Sequence, residues 1–297
     1  MRRKLLTALM VTMMVVSACG AGESTTAAPA ATVAATQESV APTETVAPVE
    51  PSPAVEASAT TPPVASVESI PPGPITLIML GDSLTQGDGD ESGRGYPGRL
   101  LDIVNAIRPG STVVNLGQSG WNSEALINGD QGLPGQLDRA VEQAASASGP
   151  VAAFVWIGSN DMWYLYEYGE GSDDADAQDV AHFANNIETI VSRLRDAGAT
   201  VFIALLDDQS KRPVAIKGEA FPGTTPDELA RMSRIVVRYN EAIVAKAAQY
   251  GAITADFYNT TIFTDPATLY DDGNHPNPSG YDQIAQLWFA SMEPLLK

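Results

Sequence analysis

Ile75-Thr76-Leu77-Ile78-Met79-Leu80-Gly81-Asp82-Ser83-Leu84-Thr85-Gln86-Gly87 reads as a buried strand running into a polar turn. Its first six residues carry no charge and are apolar apart from one threonine. A run apolar on both faces suits a strand at the centre of a parallel sheet. The run stops at Gly81-Asp82-Ser83. A serine just past such a strand stands outside the carboxyl ends of the strands, where open α/β sheets keep their ligands.

Serine is a weak nucleophile until a base takes its proton. The chain holds two histidines, His182 and His275. His182 falls inside an apolar-periodic helical stretch, away from any strand end, and reads as an ordinary helix residue. His275 sits in Tyr270-Asp271-Asp272-Gly273-Asn274-His275-Pro276, a loop of turn formers before the last helix. Asp272, three residues earlier, is close enough to orient the imidazole from the same turn.

Outward from the serine, strands and helices alternate. Gly87 to Gly93 reads as a flexible loop, and Pro97 opens a helix through Ile107. Ser111 to Leu116 reads as a strand, Pro134 to Ala147 as a helix and Val151 to Ile157 as a strand. A helix from Asp176 to Ala197, a strand from Thr200 to Leu206 and a helix from Pro226 to Gln249 follow. A strand from Ala252 to Asp256 and a helix from Pro278 to Pro294 close the pattern. Such alternation predicts an α/β fold, a parallel sheet with helices on both faces.

Four segments in this order resemble the blocks of the GDSL/SGNH hydrolase family: Gly81-Asp82-Ser83-Leu84, Asn115 to Gly120, Gly158-Ser159-Asn160-Asp161 and Asp272 to Pro276. The resemblance covers Pro74 to Lys297 and implies a flavodoxin-like, three-layer α/β/α fold on five parallel strands. It implies that Ser83 is the nucleophile of a triad with Asp272 and His275. It also implies an oxyanion hole made by the Ser83 and Gly120 amides and the Asn160 side chain. Gly117 competes with Gly120, and the Asn115-x-x-x-Ser119-Gly120 spacing favours the latter. Asp82 reads as structural, bonding loop amides. No cofactor or metal is implied.

Other chemistries lack their residues. Gly81 to Gly87 has no Walker lysine and puts Asp82 where a phosphate would sit. Asp173, Asp174, Asp176 and Asp179 lack EF-hand spacing and read as a solvated acidic loop. Two scattered histidines make no zinc site.

The amino terminus reads differently. Arg2, Arg3 and Lys4 precede an apolar run from Leu5 to Val16, too short to span a bilayer. Val16-Ser17-Ala18-Cys19 resembles a bacterial lipoprotein signal, which implies cleavage after residue 18 and a lipid on Cys19, the one cysteine of the chain. An ordinary secretory signal or an uncleaved anchor is the alternative. Residues 19–73 are rich in Ala, Thr, Pro and Glu, have no Lys or Arg, and cannot bury enough apolar surface to fold. They read as a tether reaching on the order of 150 Å, and residues 74–297 as one domain. The formal net charge of −19 argues against nucleic acid and favours a neutral or cationic partner. Oligomeric state is not legible.

Substrate is read from the loops. Met162 to Ala177 and Asp207 to Thr225 are longer than minimal connections. The first carries Trp163, Tyr164, Tyr166 and Tyr168, and Trp121 follows the oxyanion glycine. Trp121, Trp163 and Tyr164 are candidate substrate contacts, with packing beneath the loop as the equal alternative. The sequence thus predicts an exported, membrane-tethered ester hydrolase acting on short acyl, chiefly acetyl, esters of a small molecule or glycan. A lipid esterase, an acyltransferase of the same fold or a dead surface-binding protein are the alternatives.

Overall fold

The computed structural model describes residues 68–168, 172–217 and 224–296, with the side chains of 166–168 excepted. Every described residue lies in one compact unit, Ala59–Lys297. The leader, Cys19 and nearly all of the tether fall outside the described residues.

Five strands form one parallel sheet: β1 (Thr76–Gly81), β2 (Thr112–Asn115), β3 (Val151–Trp156), β4 (Thr200–Leu205) and β5 (Ile253–Asp256). Their order is β2-β1-β3-β4-β5, the doubly wound, flavodoxin-like order expected. β3 is buried along its whole length, whereas the edge strands β2 and β5 are part-exposed. This is why the central strands read as unbroken apolar runs. In register, Gly81 lies beside Trp156, so β1 and β3 deliver Ser83 and Asn160 to the same end of the sheet.

The helices are α1 (Ser83–Gln86), α2 (Gly95–Ile107), α3 (Ser123–Asn128), α4 (Gln136–Ser146), α5 (Ser159–Tyr168), α6 (Asp173–Asp196), α7 (Pro213–Lys217), α8 (Pro226–Tyr250) and α9 (Pro278–Met292). α2 packs on α9, while α4, α6 and α8 pack in succession. Trp288 of α9 is fully buried among Tyr96, Phe154, Trp156 and Phe257. In the other layer, Phe183 of α6 stacks on Tyr239 of α8 at 4.0 Å. Truncating an aromatic so enclosed costs about 3–5 kcal/mol. Thr225 and Glu228 cap α8 reciprocally, as the sequence Thr-Pro-Asp-Glu allows.

Three expectations are corrected. Most of the aromatic segment after Asn160 is helix α5 rather than loop. The acidic segment is the first turn of α6, where Asp173, Asp174 and Asp176 favour the helix N-terminus, and Asp173 and Asp176 pair with Arg231. The loop after Gly87 is bound rather than loose. Asp90 is buried, pairs with Arg99 and accepts the Gly95 N–H. Burial opposes ionisation of Asp90, but Arg99, Ser92 and Gly95 outweigh it and hold the carboxyl well below its usual range.

Candidate active site

β1 leads directly into the site. At Gly81 a Cβ would lie 2.2 Å from the Trp156 carbonyl and 2.3 Å from Thr85 Oγ1, so only glycine fits. The buried Gln136 side chain of α4 completes the strand end. Its Oε1 accepts the Gly81 N–H and its Nε2 donates to the Gly81 carbonyl, each at 2.8 Å. Asp82 then caps α1 by accepting the Leu84 N–H at 3.0 Å, which leaves Ser83 as the first helical residue.

Asp82 is fully buried, and burial pushes its carboxyl up to about 7. Asp161 and Asp207 add to the rise, while the Leu84 N–H and Arg212 oppose it. The structural reading of this residue agrees with its hydrogen bond.

The loop before α9 presents His275. Its Nε2 lies 3.0 Å from Ser83 Oγ, and its Nδ1 lies 2.6 Å from Asp272 Oδ2. Asp272 Oδ1 also accepts the backbone N–H groups of Asn274 and His275 at 2.8 and 2.9 Å. Burial raises the Asp272 carboxyl, but these bonds, that of the His275 ring foremost, outweigh it and hold the group below its usual range. An ionised Asp272 fixes the Nδ1–H tautomer, leaving Nε2 free to accept the serine proton. Gly89, at φ +85°, passes so close that a Cβ would meet the Pro276 carbonyl at 2.6 Å. The serine and histidine loops are therefore packed against each other.

After β2, residues 118–121 form a turn closed by Trp121 N–H on the Gln118 carbonyl at 3.2 Å. Gly120 takes φ +79° at the third position, where glycine is favoured. Its N–H has no acceptor among the described residues. The competing Gly117 donates its N–H to Asn115 Oδ1 at 3.0 Å and is pressed against Thr85 and Gln86. Gly117 is a packing glycine, and Gly120 is the one with a free amide. Asn160 Nδ2 donates to the Trp121 carbonyl at 2.8 Å, which leaves its second N–H available. The Tyr164 hydroxyl donates to the Gly120 carbonyl at 2.6 Å.

A buried network holds the two donor segments together. Asp161, next to Asn160, accepts the N–H and hydroxyl of Ser123, whose Oγ also accepts from Asn186 at 2.9 Å. Burial pushes the Asp161 carboxyl up to about 6, against the Ser123 bonds.

Sequence reasoning missed Gln136, Ser123 and Asn186. Asn122, which caps the short helix opened by Ser123 and Glu124, was a readable signal, but nothing local marks Gln136.

The aromatic candidates divide. Trp121 and Trp163 are only 4% and 5% exposed, which favours the packing alternative over faces offered to a ligand. Tyr164 is 39% exposed and lines a polar cleft of about 250 Å³ with Gly120, Asn122, Glu124 and Asp130. The side chains of Tyr166 and Tyr168 lie outside the described residues. His182 lies on α6 with its Nε2 3.1 Å from Glu124 and 3.2 Å from Asn186, and it makes no hydrogen bond to Ser83.

The arrangement can support nucleophilic acyl transfer: a serine, a base within reach, an orienting carboxylate, and amide donors on the loops after β2 and β3, the two strands that flank β1. The profile of the GDSL-like lipase/acylhydrolase family matches residues 79–283. A multidomain esterase of Ruminococcus flavefaciens is 24% identical over 253 residues. That match covers 76% of this chain and 29% of the relative, so the chain spans under a third of that protein's length. Among solved structures, a psychrotrophic esterase from Pseudoalteromonas sp. superposes with a TM-score of 0.53 at 18% identity, covering 74% of this chain and 98% of that one. An acetyl-xylooligosaccharide esterase from Geobacillus stearothermophilus gives 0.52 at 18%, covering 75% and 96%. At these identities the likeness shows a shared fold.

Proposed function

Since the chain belongs to the GDSL-like lipase/acylhydrolase family, we propose that it is a serine esterase, an envelope-tethered hydrolase of short acyl, chiefly acetyl, esters on a glycan or other neutral alcohol. In this reading Ser83 Oγ attacks the ester carbonyl while His275 Nε2 takes its proton. Asp272 holds the resulting imidazolium. The amides of Ser83 and Gly120 and the Asn160 side chain receive the oxyanion. Collapse expels the alcohol, which takes the proton back from His275. Water then repeats the sequence on the acyl-serine and frees the acid. The observation that carries the proposal is the 3.0 Å contact of His275 Nε2 with Ser83 Oγ, in line with Asp272.

The short acyl group and hydroxyl-rich alcohol are supported by what surrounds the donors. The cleft beside Gly120 is lined by Asn122, Glu124, Asp130 and Tyr164, groups that hydrogen-bond and give little to an alkyl chain. An apolar groove of about 420 Å³, lined by Leu205, Val237, Val244 and Tyr258, includes none of Ser83, Gly120, Asn160 or His275. Acidic surroundings disfavour anionic head groups. Tethering rests on the Cys19 signal and the unfoldable composition after it.

The test is a series of 4-nitrophenyl esters from acetate to palmitate, run beside acetylated oligosaccharides. A kcat/KM highest at acetate, with acetate released from the sugars, is expected. A maximum at octanoate or longer with no release from the sugars rejects the substrate. For the tether, a radioactive fatty acid should label the protein in a bacterial host, and Cys19→Ser should abolish the label. Label retained in Cys19→Ser contradicts the anchor.

A further inference from the structure

The site holds one more polar side chain at the reaction centre. Asn274 precedes His275, and its Nδ2 lies 3.4 Å from His275 Nε2, the atom that also faces Ser83 Oγ at 3.0 Å. Its backbone is pinned, because the Asn274 N–H donates to Asp272 Oδ1 at 2.8 Å. Its side chain is pinned from the other end, because Oδ1 accepts from Arg212 Nη1 at 2.8 Å.

Arg212 decides which way the amide points. It is 2% exposed, holds Asp207 bidentately at 2.6 and 2.8 Å, and lies 4.5 Å over the Phe263 ring. A guanidinium has only donors to offer. Turning the Asn274 amide over would set N–H against N–H, so its oxygen faces Arg212 and its NH2 faces His275. The α7 segment adds a clamp, with Val214 N–H on the Gly273 carbonyl at 3.1 Å.

We propose that Asn274, aimed by the buried Arg212–Asp207 pair, donates a hydrogen bond to the leaving alcohol oxygen and favours esters of unactivated alcohols. The inference rests on the acyl-transfer reading above. When the tetrahedral intermediate collapses, the bond from carbon to the alcohol oxygen breaks and its electron pair stays on that oxygen. The His275 Nε2 proton moves to the same oxygen. Nδ2 stands 3.4 Å from Nε2, so a leaving oxygen seated on the Asn274 side of Nε2 meets both nitrogens, and the Asn274 NH2 then shares the developing charge and transfers no proton. The amide is preset by Arg212, so it needs little reorganisation during the step. Aliphatic alkoxides are poor leaving groups and need this help. Nitrophenolate departs without it.

A plain structural role, in which Asn274 only braces the histidine loop for Arg212, predicts something else. A loosened loop misplaces His275 for every substrate alike. The experiment therefore compares kcat/KM, which reports steps through alcohol departure, for ethyl, trifluoroethyl, phenyl and 4-nitrophenyl acetates. Asn274→Ala removes the donor. Asn274→Asp removes it while keeping an oxygen for Arg212, and so covers the case in which Asn274→Ala does not fold. The loss on ethyl acetate should exceed the loss on 4-nitrophenyl acetate by about 10- to 100-fold, the range of a hydrogen bond to a charged group, with the other two esters between. A loss equal across the four esters, or no loss on ethyl acetate, overturns the assignment. Ser83→Ala on 4-nitrophenyl acetate runs alongside. Equal turnover by it and the wild type would sink the esterase reading itself, separately from the Asn274 pattern.

Discussion

The side-chain amide of Gln136 hydrogen-bonds both backbone groups of Gly81, at 2.8 Å each, across 55 residues of sequence. β2 pairs with β1 only as far as Met79, and beyond it Gln136 supplies the acceptor for the Gly81 N–H. It therefore fixes the strand end from which Asp82 and Ser83 project. Gln136→Leu removes both bonds. The Gly81 carbonyl keeps the Gln118 N–H at 3.0 Å, but the Gly81 N–H is left buried without an acceptor. The variant should lose about 1–3 kcal/mol of stability in urea unfolding. Its kcat should fall further than its KM changes, because the error is in the nucleophile's position. An unchanged unfolding midpoint would contradict this role.

Asn160 is held by its bond to the Trp121 carbonyl with one N–H to spare. Asn160→Ala should lower kcat by roughly 10²–10³-fold with KM nearly constant, since the contact strengthens as the oxyanion forms. His182→Ala, on α6 and in contact with Glu124 and Asn186, should stay within a few-fold of wild type. A change confined to KM in the first variant would make Asn160 a ground-state contact. Abolished turnover in the second would put the base at the wrong histidine.

Asp82 gives a stability test. Its folded carboxyl is raised from the ordinary 3.8 to about 7. Between those values the folded chain keeps a proton that the unfolded chain has released, so this group's contribution is greatest below about pH 4. It is lost as pH rises towards 7. Asp82→Asn cannot ionise and removes that decline. The stability of the variant relative to wild type should therefore climb by a few kcal/mol between pH 4 and pH 8. Urea unfolding at both pH values measures it. A difference that is flat with pH, or that grows on acidification, would show that Asp82 is ionised in the fold throughout.

Much of the fold was legible because it is written locally. β1, β3 and β4 are buried on both faces and read as apolar runs, and α6 and α8 carry their buried faces at helical spacing. α5 was not legible. Trp163, Tyr164, Tyr166 and Tyr168 are weak helix formers and show no single apolar stripe, so the segment takes its helix from packing against α6 and α8. The start of α6 carries a readable signal, Ser172 capping Ala175 at 3.2 Å ahead of a run of acids.

The site divides in the same way. Ser83, Asp272 and His275 announce themselves because their residue types are scarce or stand in turn sequences. Gln136 and Arg212 do not. A glutamine on an amphipathic helix and an arginine after a strand are ordinary in sequence. Only the fold brings one to Gly81 and the other to Asn274. The same holds for the burial of Trp121 and Trp163, which depends on neighbours distant in the chain.

In the proposed mechanism Ser83, activated by His275, carries the acyl group. This is tested most directly by hydrolysis of 4-nitrophenyl acetate by the purified protein, set against Ser83→Ala at equal concentration and with matched thermal unfolding. Turnover by the wild type is expected, with a loss of at least about 10³-fold in the variant, the scale on which triad members act. Equal rates from the two proteins would contradict the mechanism.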